Sequence, residues 1–173
     1  MSDNRSEIMS VQEFRSKTMK KQLRPASWKW KEIIPELKKS IGEDGRGAVS
    51  LVHNDTGDQA GVSPTMNVIV QVFKPGVSDD AHRHSNVALF LVYEGEGYSI
   101  VDGERIDWEQ GDLVLAPAWS AHEHHNTSKT EEAVLITFQD VPQVSNLRSW
   151  FFQEPVGAET KHVVGEKDDE FST

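Results

Sequence analysis

The chain has 173 residues, 36% of them hydrophobic, and a formal net charge of −10, so it is long enough for one domain with a buried core and too short for two. The acidic balance argues against nucleic acid as a partner. No stretch approaches the ~20 apolar residues of a membrane span, and Met1 to Val11 carries no apolar signal region, so a cytoplasmic protein is expected. With no cysteine, disulfides and thiolate ligands are excluded, and any metal must be held by histidine, carboxylate or water.

Taken in chain order, residues 1 to about 24 are polar and irregular and read as an arm ordered by a partner subunit. Half of the 18 Lys and Arg residues fall between Arg15 and Lys39, which reads as a solvated helical arm rather than a basic binding patch. Ser27 is placed to cap a short helix starting near Trp28, with Ile33, Ile34 and Leu37 on its apolar side. Pro35 lies within its first turns or ends a preceding one. From Gly47 the pattern changes to period two: Met66 to Phe73 and Val87 to Tyr93 read as strands. Turn signals at Gly95 and Gly97, Asp102-Gly103 and Gln110-Gly111 demand short antiparallel strands, and the Asp-Gly pair suits a type I′ hairpin. Ala133 to Phe138 is the last clear strand. Trp150-Phe151-Phe152 covers a barrel end or packs on a second subunit, and beyond Gly157 the charged chain is expected to fray. The expected organisation is an arm and short helix over 1–45, a β-barrel over 46–145, and a C-terminal segment with an acidic tail over 146–173. Apolar strands and the basic arm together suggest a homodimer or larger homo-oligomer.

Three of the seven histidines form the strongest pattern in the chain. On an extended strand side chains alternate, so His82 and His84 share one face about 6.7 Å apart while Arg83 points away. His122 follows 38 residues after His84, in a second segment of matching turn context. A single histidine on a strand is usually structural, but this set of three reads as a neutral three-imidazole metal site with open positions. If the segment is extended, His124 lies on the same face as His122 and is the candidate catalytic group, as a general acid or base or as a hydrogen-bond partner of a substrate oxygen. His125 faces outward, and Asn126 suits a turn. Asp79 and Asp80 belong to a loop rather than to the metal.

The two segments resemble the two cupin motifs. The first has Gly76, five residues, then His82-Arg83-His84; the second has Gly111, five residues, Pro117, then His122 and Asn126. More narrowly, the chain resembles the gentisate 1,2-dioxygenase family in Ala81 to Leu89, in Val101-Asp102-Gly103-Glu104 and in Ala116-Pro117-Ala118-Trp119. The likeness continues upstream in Trp28-Lys29-Trp30-Lys31 and downstream in Asp140-Val141-Pro142. The resemblance implies an all-β fold, a cupin double-stranded β-helix or small jelly-roll barrel with a short N-terminal helix and arm. It implies a non-haem Fe(II) centre on His82, His84 and His122, with Mn, Ni or Zn as possible occupants. It further implies cleavage of a small aromatic or diketone substrate with O2, and a substrate contact for His124. That family usually carries two cupin domains, whereas this chain has room for one. A metal-dependent isomerase or hydrolase, and a non-catalytic binding cupin or small subunit, are the alternatives.

Two departures from the family bear on the substrate. Many cupins add a glutamate three or four residues after the second histidine; here Ala88 and Leu89 stand there, as the absence of a carboxylate ligand in gentisate dioxygenases would suggest. In gentisate and salicylate dioxygenases the residue eight positions past the first ligand is an arginine that grips the substrate carboxylate, and here it is Phe90. The family's aspartate near the end of the last core strand falls near Thr137. Phe90, Thr137 and Trp119 are therefore the candidate substrate-binding residues, with a core role for Trp119 as the alternative. A neutral phenol, hydroquinone-like ring or β-diketone suits this set better than an aromatic acid.

Overall fold

The structure, a computed structural model, describes residues 8–18, 23–56 and 61–163. The elements in chain order are α1 (Val11–Thr18), α2 (Trp30–Lys39), β1 (Arg46–Leu51), β2 (Asn67–Phe73), β3 (Arg83–His84), β4 (Ala88–Glu94), β5 (Glu96–Val101) and β6 (Glu104–Glu109). They continue with β7 (Leu113–Ala116), β8 (His122–Asn126), β9 (Ala133–Gln139), α3 (Val141–Asn146), β10 (Phe151–Gln153) and β11 (Lys161–His162). One sheet has the order β1-β2-β9-β4-β7; β6-β5-β8 and β11-β10-β3 form two smaller ladders. Backbone bridges Ser78↔His125 and His82↔His122 join these two ladders through the segment leading into β3. The result is two antiparallel layers closed on one interior, the jelly-roll barrel expected of the cupin pattern.

Alternation along the strands divides the apolar residues between two cores. On β2 and β9, Val70, Val72 and Val134 face outward and are covered by Leu37, Ile33 and Trp30 of α2. The opposite faces of β4 and β9 send Phe90, Val92 and Leu135 into the barrel, where they meet Phe73, Val101, Trp108 and Val114. Burying each such side chain contributes about 1.5–3 kcal/mol, so the sheet is held from both sides. The hairpin between β5 and β6 has φ of 49° at Asp102 and 84° at Gly103, the two positive values that a type I′ turn requires.

Several local expectations are corrected. Val11–Thr18 is helical rather than irregular, because Ser10 Oγ accepts the Glu13 amide at 3.1 Å and Lys17 pairs with Glu13 one turn away at 2.9 Å; positions 1–7 and 19–22 of the expected arm lie outside the described residues. Helix α2 starts at Trp30 behind an extended Lys29 with no side-chain cap, so Ser27 is not its N-cap, and Pro35 sits inside it. Gly97 lies within β5, not in a turn; a Cβ there would come within 2.5 Å of the Trp108 ring, so the glycine lets the indole lie against the backbone. Lys161–His162 pairs with β10 rather than fraying, with His162 stacked on Phe151 at 4.4 Å; the tail from 164 lies outside the described residues. Within the basic stretch Arg24 meets Asp55 at 2.6 Å, Lys39 meets Glu36 at 2.7 Å, and Lys38 meets Glu132.

Candidate metal centre

His82 and His122 are directly opposed residues that exchange both backbone hydrogen bonds, at 3.0 and 2.8 Å. This closed pair fixes the relative height of the two chain segments and places both side chains on one face. His84 follows two residues on, on the same face. Trp119, just before β8, adopts φ of 66°, a left-handed conformation that costs a bulky residue about 1–3 kcal/mol. Its amide donates to the His84 carbonyl at 2.7 Å, which hooks the loop before His122 onto the second histidine. The hairpin tip adds a third tie, since Asp102 Oδ1 accepts the Ala121 amide at 2.9 Å.

One ring nitrogen from each of His82, His84 and His122 lies within 4.8 Å of the others, the one such His and acidic group of three or more among the described residues. The Nδ1 atoms are engaged by backbone carbonyls: His82 with Asp80 O at 3.0 Å, His84 with Asn86 O at 2.9 Å and His122 with Ser120 O at 2.8 Å. A carbonyl only accepts, so each Nδ1 carries the proton and each Nε2 keeps its lone pair. Nε2 of His122 is buried with no partner in the protein. Burial pushes the His122 imidazole down to about 3, and it pushes His84 down as well, which favours the neutral ligand form. This is the donor set a divalent cation needs, with backbone carbonyls orienting the ligands.

The other expected site residues divide into those that converge here and those that do not. His124 is fully buried, 5.9 Å from His122 ring to ring, and its Nε2 lacks a protein partner. Phe90 stands beside both, with ring centroids 4.2 Å from His124 and 5.8 Å from His122. Thr137 lies opposite Phe90 in the β4–β9 ladder and is fully buried; its hydroxyl accepts a bond from Gln71 Nε2 at 2.8 Å. A groove of about 400 Å³ adjoins this wall, lined in part by Asn67, Ile69 and Gln139, and Ile69 is the β2 neighbour of Thr137. Trp119 is exposed rather than in the core, with the Arg83 guanidinium 4.7 Å over its ring. His125 faces outward as expected, stacked on Tyr98 at 4.3 Å on the outside of the second layer.

Three residues do more than the sequence suggested. Asn126 is not a turn residue but a buried strand residue whose amide donates to the carbonyls of Phe73, Lys74 and Glu131 at 2.9–3.1 Å. Asp79, in the loop before the histidines, is buried and accepts the His124 backbone amide; burial pushes its carboxyl up to about 6. Phe152 of β10 brings its ring within 6.2 Å of His82, so of the aromatic cluster after Pro142 this one ring borders the site.

Comparison with known proteins agrees with this geometry. A Cupin domain family matches residues 69–138. A 5-nitrosalicylic acid 1,2-dioxygenase of Bradyrhizobium sp. is 28% identical over 92% of this chain and 81% of its own length. A gentisate 1,2-dioxygenase of Streptomyces sp. is 34% identical over 75% of this chain and 38% of its own length. Among solved structures, a salicylate 1,2-dioxygenase variant from Pseudoaminobacter salicylatoxidans in complex with gentisate superposes with a TM-score of 0.69 at 29% identity, covering 84% of this chain and 43% of that one. The chain thus spans less than half the length of the last two.

Proposed function

We propose, for a chain that belongs to the cupin family and is gentisate 1,2-dioxygenase-like, the activity of a non-haem Fe(II) dioxygenase that cleaves a small phenol, aromatic diol or diketone with O2. One observation carries this reading: three imidazoles, each with its lone pair freed by a backbone carbonyl on the other nitrogen, converge beside a fourth buried histidine with no carboxylate among them. His82, His84 and His122 would hold the ion, and a neutral ligand set leaves it its full charge and open positions. When bound, ferrous iron supplies the redox chemistry that joins dioxygen to the organic substrate. Mn, Ni or Zn would compete for the same nitrogens.

The chain's own residues would bind and orient. His124 directs its unpartnered Nε2 at a substrate oxygen, and Phe90 walls off water and anions beside it. Phe90 and Thr137 are assigned substrate contacts from the buried inner face of the large sheet, and Trp119 from the exposed loop before His122. The relatives reported above are named for acids; Phe90 supports a substrate without a carboxylate here. Arg105 is held by Asp107 at 2.7 Å while lying over Tyr98, and a carboxylate buried against Phe90 would meet an aromatic ring rather than a cation.

No described helix is long and apolar enough to cross a membrane, and we infer a cytoplasmic setting with no nucleic-acid partner. Leu113 and Leu115, 60% and 51% exposed on edge strand β7, support a homodimer or larger assembly. The isomerase or hydrolase alternative and the binding-module alternative gain nothing from the relatives, each of which is named a dioxygenase. Fe(II)-dependent oxygen uptake with a panel of phenols and diketones tests the proposal.

A further inference from the structure

Behind His124 lies a buried chain of hydrogen bonds. Trp108 Nε1 donates to Ser99 Oγ at 3.0 Å, and Ser99 Oγ lies 2.7 Å from His124 Nδ1. Ser99 and His124 are at most 1% exposed and Trp108 is 4% exposed. The register accounts for their meeting: Ser99 opposes His124 in the β5–β8 ladder, and Trp108 lies opposite Gly97, whose missing Cβ leaves room for the indole.

The direction of the chain follows from what each group can do. An indole N–H only donates, so one lone pair of Ser99 Oγ is taken. The hydroxyl has one hydrogen to place, and the one acceptor bonded to it among the described residues is His124 Nδ1. Were Nδ1 protonated instead, Oγ would receive two donors and its own hydrogen would be buried without a partner, which is unfavourable.

We propose that Trp108 and Ser99 are positioning residues that fix His124 as the Nε2–H tautomer, so that it meets the substrate as a hydrogen-bond donor to an oxygen and not as a base. The inference rests on the assignment of His124 to the substrate site. It deepens that assignment by naming the substrate atom as an acceptor, a phenolate or enolate oxygen.

The test is a long-range 1H–15N correlation spectrum of the histidine rings in the 15N-labelled chain saturated with Zn(II), together with oxygen-uptake kinetics of the Fe(II)-loaded chain. The wild type is expected to show a protonated-type Nε2 and a bare Nδ1 for His124. Ser99→Ala and Trp108→Phe should mix the two tautomers and lower kcat by about five-fold with little change in KM, and Ser99→Thr, which keeps the hydroxyl, should restore the wild-type spectrum. A wild-type spectrum with Nδ1 protonated overturns the proposal whether or not the variants fold, and so does an unmixed Nε2–H form in Ser99→Ala. The spectrum is read without turnover. An Nε2–H wild type that consumes no oxygen with any substrate would sink the dioxygenase reading and leave the tautomer standing.

Discussion

His82 and His122 face each other across a closed pair of backbone hydrogen bonds, with ring centroids 4.4 Å apart. The backbone, not the side chains, sets their spacing, so removing one imidazole should leave the segments in place. Each of His82→Ala, His84→Ala and His122→Ala should therefore fold and lose most of its bound metal, because two nitrogens make a weak site. His124→Ala should keep the metal and lose turnover. Metal content by elemental analysis decides this, and equal content in all four variants contradicts it.

Phe90 lies 4.2 Å from His124 and offers no charge, so the wild type should prefer substrates without a carboxylate. Phe90→Arg should move relative kcat/KM toward aromatic acids by roughly 10- to 150-fold, the value of a charge-assisted hydrogen bond of about 1.5–3 kcal/mol. The comparison is gentisate against hydroquinone in both proteins. A wild type that already favours gentisate strongly would contradict the assigned role of Phe90.

The buried histidines make stability depend on pH in a definite sense. His84, His122 and His124 have depressed pKa values in the fold, mainly through burial, so unfolding takes up protons once the pH is below about 6.5. Their contribution is complete above that value and is lost as the pH falls toward the folded pKa, with a slope of about 1.4 kcal/mol per pH unit for His122 alone. Asp79, raised to about 6, acts oppositely between about 6 and 3.8 and offsets one proton of the three. Denaturation midpoints of the metal-free chain should fall from pH 7 to pH 5; a flat or rising profile contradicts the burial assigned to these rings.

Asn126 ties the end of β8 to the carbonyls of Phe73, Lys74 and Glu131, of which that of Lys74 also accepts the Val77 amide at 3.1 Å. Asn126→Ala should cost about 1–3 kcal/mol, because the hydrogen bonds of a buried side chain are lost. Urea denaturation measures it, and a change under about 0.5 kcal/mol would contradict the role.

The fold and the clustering of the three histidines were legible because they rest on short-range patterns: alternation set the strands, Asp102-Gly103 the hairpin, and His82-x-His84 the shared face. Phe90 was singled out only by the family resemblance, and the structure places its ring 4.2 Å from His124. What remained hidden depends on contacts between distant segments. Asn126 looks like a turn residue until Phe73 and Glu131 are brought beside it. Asp79 meets His124 across 45 residues, and Ser99 is an ordinary small residue until the register sets it against His124. Gly97 resembled a turn signal because its reason, the Trp108 ring, lies on the next strand. In helix α1 the Ser10 cap and the Glu13–Lys17 pair are weak signals beside a polar stretch.

The most direct test of the central claim is oxygen consumption by the chain stripped of metal and reloaded anaerobically with Fe(II), assayed with hydroquinone-like phenols and β-diketones. The account predicts uptake of one O2 per substrate cleaved, abolished by chelation, restored by Fe(II) but not by Zn(II), and absent in His122→Ala. An iron-loaded wild type that consumes no oxygen with any of these substrates, or uptake that persists at the wild-type rate in His122→Ala, would contradict it.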